Sequence, residues 1–261
     1  MNLEVGFDPN FVALGPLVLG WHGLFTALAV ALAVWLALRR AAAYGLPTDK
    51  VGDLAVWSVL GGMVGARIFH VLDHWDQYAA RPLEIFAVWQ GGIAVYGAFI
   101  GGVVTGLFLC QRMGLPKWTM LDVAAPAMLV GQAIGRLGCL SNGDAWGGPC
   151  DGAGVLCLIY SHPNALLPND LRGVPTHPYP LYEMIAVGFT LAVIWFARRR
   201  LTAPGLIFVV AGLGYAITRF TLTVYRQEAQ MAFGLQEAQL IAIATALLIL
   251  GGRFLLFRPR A

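Results

Sequence analysis

Charge is what this chain has least of. Of its 261 residues only 12% are Asp, Glu, Lys or Arg, while 58% are hydrophobic; a soluble globular domain carries roughly a quarter charged residues. That balance excludes a water-soluble enzyme and points to an integral membrane protein. Cysteine is also scarce, and four residues are too few for a disulfide framework. No CxxC or HExxH spacing is present, so neither a metal site nor a cofactor is expected. A Gly-x-Ser-x-Gly elbow and an evident Ser–His–Asp order are missing as well, which argues against acyl-enzyme hydrolysis. The N-terminal MNLEVGFDPNF has no basic region ahead of its apolar run, so that run is expected to stay as a helix and not to be cleaved as a signal peptide. No internal repeat and no charge near a span midpoint is evident, which disfavours a transporter. Nucleic acid is not among the expected partners.

What the chain does have is length in its apolar runs. Pro9 to Leu38 and Ile85 to Gln111 contain no Asp, Glu, Lys or Arg, and about 20 apolar residues span a bilayer core of about 30 Å. The pattern predicts an all-α, multi-pass protein with about seven helices, near Pro16–Leu38, Val51–Leu72, Ala87–Cys110, Trp118–Leu140, Leu181–Ala197, Gly205–Tyr225 and Ala238–Phe257. Together they make one membrane domain over 1–261, with a long outer loop at 141–180. Alternate connections collect Arg39, Arg40, Lys50, Arg112, Lys117, Arg198, Arg199, Arg200, Arg253, Arg258 and Arg260, against Arg81, Arg172 and Arg226 on the other side. The positive-inside rule then puts the N-terminus outside and the C-terminus in the cytoplasm. Cys150 and Cys157 share the outer loop, where an oxidising compartment permits a bridge without requiring one.

Against this apolar background the polar residues stand out. Arg67, Arg136 and Arg219 lie inside predicted spans, where an arginine costs on the order of 2.5–3.5 kcal/mol at the helix centre. All three fall in the outer half, at a depth similar to His22, Tyr96 and Tyr215, with Asn142, Asp144 and His177 of the long loop above them. One such arginine can snorkel; three at one depth suggest a binding site for phosphate, which a planar guanidinium grips with paired donors. Tyr215, Arg219 and Arg226 lie close to one helix face. The glycines of QGGIAVYGAFIGGVVTG (Gln90–Gly106), including Gly97/Gly101 and Gly102/Gly106, have the small-xxx-small spacing of close helix contacts. For chemistry, Tyr96, His177 and Asp144 are acid–base candidates, and Arg136 and Arg219 could stabilise a departing phosphate. Such a reaction needs no enzyme nucleophile if the attacking group belongs to a second substrate.

The run GRLGCLSNGDAWGG (Gly135–Gly148) resembles the signature of the prolipoprotein diacylglyceryl transferase family, close to GRxGNxxNxExxG. The segments GAR at Gly65–Arg67, GGIAVYGAFIGG, DVAAP at Asp122–Pro126, HPYPLYE and the Arg219/Arg226 pair follow in the family's order and spacing. The resemblance covers nearly the whole chain. It implies movement of diacylglycerol from phosphatidylglycerol to the lipobox cysteine thiol of a prolipoprotein, releasing glycerol phosphate, in a bacterial inner membrane. It further implies that Arg136 and Arg219 clamp phosphate and that Tyr96 is a candidate base or orienting group. Asn142, Gly147, Tyr215 and His177 match further functional positions, and Gly91 and Gly97 match glycines that let lipid approach the backbone. Arg67, Arg226, His22, Cys139 and Asp144 complete the expected substrate-binding set, alongside the membrane lipids themselves.

The departures are specific. Cys139 stands where the signature has Asn, Asp144 where it has Glu, and His22 where Tyr is common. Thr223 replaces an acidic residue between the helix-6 arginines, and Pro180 replaces a typical Gln. They keep open an alternative in which the chain is a phospholipid-binding paralogue that is non-catalytic or of altered specificity.

Overall fold

Inside lipid every backbone N–H and C=O must find its partner within the chain, and a helix does this over a single segment. The structure, a computed structural model, describes the chain apart from residues 15–16, 88–90, 93, 153–154, 227–229 and 257–261, and gives the backbone alone at 13, 14, 17, 95, 96 and 253–256. Eight α-helices appear among the described residues: α1 (Trp21–Ala43), α2 (Thr48–Asp73), α3 (Trp75–Ala80), α4 (Val95–Arg112), α5 (Lys117–Asn142), α6 (Tyr179–Ala197), α7 (Leu206–Leu222) and α8 (Glu237–Leu256). Each of the seven expected segments overlaps one of them. Five are long and apolar enough to cross a membrane: α1, α2, α5, α6, and α7 with its 3-10 extension to Tyr225; the apolar stretches Gly97–Arg112 and Glu237–Gly252 are shorter. The expected bounds Pro16 and Phe257, and with them Gln90, Arg258 and Arg260, lie outside the described residues.

Two helix starts differ from the sequence reading. The first apolar run does not begin as a helix: β2 (Asn10–Leu14) and β3 (Leu17–Gly20) pair as an antiparallel hairpin, and α1 follows at Trp21. The third helix begins at Val95 instead of Ala87, because Gly91 and Gly92 have φ of 87° and 74°, a left-handed backbone that no α-helix accommodates.

The chain divides into two compact units, one of Met1–Ala33 with Ala124–Ala261 and one of Val34–Val123. In the first, α5, α6 and α7 pack through Ala125, Leu129, Val187, Ile194, Ile207 and Ala211. Its long loop is ordered by β4 (Cys157–Tyr160), which pairs in parallel with β1 (Asn2–Val5) from Asn2↔Cys157 to Val5↔Tyr160. Val5, Leu158, Tyr160, Ala165, Leu167 and Leu171 form a small core there, and Cys150 and Cys157 are joined by a disulfide. The Tyr160 hydroxyl donates to the Leu140 carbonyl at 3.0 Å. Burial pushes that phenol's pKa up, so it stays a donor and ties the loop to the end of α5. A second hairpin, β5 (Gln230–Ala232) with β6 (Leu235–Gln236), precedes α8.

In the second unit α2 and α4 touch backbone to backbone. A Cβ on Gly97 would collide with the Gly65 carbonyl, and one on Gly101 with the Gly61 carbonyl, as expected of small-residue helix contacts.

Candidate functional site

The site grows from one carboxylate. Glu183 lies one turn after Tyr179 at the start of α6, so both side chains share a face. Glu183 is 0% exposed, and an ionised group in that position must be paired. It is paired twice. Its Oε2 contacts the Nε of Arg136, near the end of α5, and its Oε1 accepts from Nη1 of Arg219, near the end of α7, at 2.9 Å. The Tyr179 hydroxyl donates to Glu183 Oε1 at 3.1 Å and accepts from Arg219 Nη1 at 2.9 Å. Both arginine side chains remain 17% exposed. Two guanidiniums against one carboxylate leave a single positive charge, the complement of one phosphodiester. Tyr215 sits one turn before Arg219 and packs against the α5–α7 core, and the guanidinium of Arg226 lies 5.3 Å from the ring centre of Tyr179.

A second group adjoins the first. Arg136 Nη1 lies 3.5 Å from Cys139 Sγ. Cys139, His22 and Asp144 each offer one ligand-type atom, and these three atoms lie within 4.8 Å of one another; His22 Nδ1 and Asp144 Oδ2 are 3.0 Å apart. Burial raises the Asp144 carboxyl, but contact with His22 outweighs it and leaves the group below the ordinary carboxylate range. Asp144 is therefore an anion near neutral pH.

The motif loop is fastened to the start of α6. The Gly148 N–H donates to the Tyr225 carbonyl at 2.8 Å, and the His177 N–H to the Gly148 carbonyl at 2.9 Å. A Cβ on Gly147 would lie 2.6 Å from the His177 carbonyl oxygen, so only glycine allows that approach. The rings of His177, Tyr182 and Tyr225 gather with centroids 5.1–6.2 Å apart, and His177 Nδ1 lies 3.2 Å from the Tyr182 hydroxyl. Asn142 ends α5, and its carbonyl accepts from the Leu166 N–H at 2.9 Å.

The remaining expected residues belong to the other compact unit. Arg67 is buried and donates to the carbonyls of Glu84, Ile85, Gly91 and Gly92, with its guanidinium 5.2 Å from the Tyr78 ring centre. Gly91 is exposed at the turn this cage holds. Gly97 is turned into the helix contact with α2. The Tyr96 side chain lies outside the described residues.

A family profile described as prolipoprotein diacylglyceryl transferase matches residues 9–256. The chain belongs to the prolipoprotein diacylglyceryl transferase family. Among its relatives, each named phosphatidylglycerol–prolipoprotein diacylglyceryl transferase, that of Synechococcus elongatus is 36% identical over 93% of this chain and 86% of its own length. The protein from Halalkalibacterium halodurans is 34% identical over 97% and 87%, and that from Limosilactobacillus reuteri 34% over 95% and 92%. In this family member Arg136 and Arg219 meet on Glu183, with Tyr179 bonded to both Glu183 and Arg219; Glu183 and Tyr179 are not among the residues expected from the sequence. The available signal was the acidic residue itself: Glu183 precedes an α6 body without charge, and an acid in such a setting is expected to have a cationic partner.

Proposed function

We propose that the protein transfers the diacylglyceryl group of phosphatidylglycerol to the lipobox cysteine thiol of a prolipoprotein. The acceptor sulfur forms a bond to the glycerol carbon that bears the phosphodiester oxygen. That C–O bond breaks, glycerol phosphate leaves with the electron pair, and the thiol proton passes to a base. The observation that carries this reading is the pair of arginines from two helices held on one buried carboxylate, with one net positive charge. As the diester becomes a monoester its negative charge grows, so Arg136 and Arg219 stabilise the departing group more than the bound lipid. Tyr96 is the base or orienting group. Of the further residues assigned to substrate binding, His22, Asn142, Asp144, Gly147, His177, Tyr215, Arg226 and Cys139 belong to the first unit; Arg67, Gly91 and Gly97 belong to the second.

In this reading the chain is one integral domain of seven spans in the bacterial cytoplasmic membrane, N-terminus outside, with 141–180 as its outer loop. The skew of Lys and Arg between alternate connections supports that orientation. The full chain, incubated with phosphatidylglycerol vesicles and a lipobox peptide, is expected to yield thioether-lipidated peptide and glycerol phosphate. No product with any anionic phospholipid would contradict the transfer and leave lipid binding alone.

A further inference from the structure

We propose that His22, Cys139 and Asp144 form a binding site for one divalent transition-metal ion of borderline softness, of which Zn2+ is the type. The donor set is an imidazole nitrogen, a thiol sulfur and a carboxylate oxygen, the three ligand types that zinc takes. They come from the first turn of α1, the end of α5 and the loop two residues beyond it. The three ligand atoms lie within 4.8 Å of one another, and small side-chain rotations would bring them to the separation of about 3.5 Å that zinc–ligand bonds of about 2.0–2.3 Å give at tetrahedral angles.

A second observation points to a ligand. His22 Nδ1 and Asp144 Oδ1 are buried and have no hydrogen-bond partner among the described residues, although buried polar atoms are nearly always partnered. His22 Nδ1 has Asp144 Oδ2 as its neighbour at 3.0 Å, while Asp144 Oδ1 faces no partner among the described residues, and a cation bound by the imidazole and the carboxylate would satisfy both groups. Charge also balances, since one thiolate and one carboxylate offset a dication. The Arg136 guanidinium stands 3.5 Å from the sulfur. The approach of α1 to α5 is built in: a Cβ on Gly138 would fall 2.9 Å from the His22 Cα. Three protein ligands leave a fourth position to water or to an oxygen of an anionic ligand. No step of the proposed transfer uses the ion; His22, Cys139 and Asp144 also belong to the proposed substrate-binding set, and a titration without lipid or peptide reads metal binding apart from transfer.

The test is direct metal titration of the full-length protein in detergent after chelator treatment. About one equivalent of Co2+ should bind, with thiolate-to-metal charge-transfer absorption that Zn2+ abolishes. Cys139→Asn should lose that absorption while Cys110→Ser keeps it. His22→Tyr and Asp144→Asn should each weaken binding by more than about tenfold, since loss of even an outer-shell partner costs about 10–100-fold. If Cys139→Asn is not recovered as a monodisperse species, the His22→Tyr titration decides in its place. A wild type without the absorption, a Cys139→Asn protein that retains it, or a His22→Tyr protein that binds as tightly as the wild type would overturn the site.

Discussion

Arg67 and the Arg136/Arg219 pair are held by different means. Arg67 spends its donors on four backbone carbonyls of residues 84–92; these dipoles solvate the charge without cancelling it, and in return they fix the course of a loop. Arg136 and Arg219 share one carboxylate, and both of Arg219's side-chain bonds leave from Nη1. Among the described residues its Nε and Nη2 are thus left for a ligand. The same side chain serves as a loop scaffold in one unit and, in the proposed function, as an anion receptor in the other, and what separates the two is whether its partners are carbonyls or a single acid.

The largest effect separating the two settings is on turnover. Arg136→Ala and Arg219→Ala should each lower peptide lipidation by at least about 10²–10³-fold while the protein stays monodisperse. Retained activity in both would remove the arginines from the chemistry. Glu183→Ala leaves two guanidiniums without their acid and should cost about 3–5 kcal/mol of stability, read from denaturant unfolding in mixed micelles; Glu183→Gln should fall between it and the wild type. Arg67→Ala should cost less, about 1–3 kcal/mol for carbonyls left unmatched, and should speed amide exchange within 84–92. An exchange pattern unaltered there would break the scaffold reading. Smallest is Tyr179→Phe, which removes one hydroxyl from the Glu183–Arg219 bridge and should cost about 0.5–1.5 kcal/mol.

The helical core was legible because apolar runs of spanning length have few alternatives in lipid: a helix overlaps each of the seven segments, and five of these helices are long and apolar enough to cross a membrane. The edges were less so. Asn10–Gly20 is as apolar as the helix after it, so composition could not separate the β2–β3 hairpin from α1. The glycines of the QGG stretch read equally as packing residues; only their left-handed φ reveals that Gly91 and Gly92 end a turn and do not continue a helix. The loop strand β4 pairs with β1 from more than 150 residues away, which no local pattern carries. In the site, Arg136 and Arg219 announced themselves by the cost of their charge. Glu183 stood in the HPYPLYE segment, but its role depends on which two arginines reach it. The His22–Cys139–Asp144 cluster has no metal-binding spacing, because its first member is more than 100 residues from the others.

The central claim is that the Arg136/Arg219 pair receives the lipid phosphate, and a structure of the full chain with phosphatidylglycerol tests it most directly. The phosphate is expected within hydrogen-bonding distance of both guanidiniums, with Glu183 still bridging them. A phosphate held elsewhere, with both arginines paired to Glu183 alone, would contradict it.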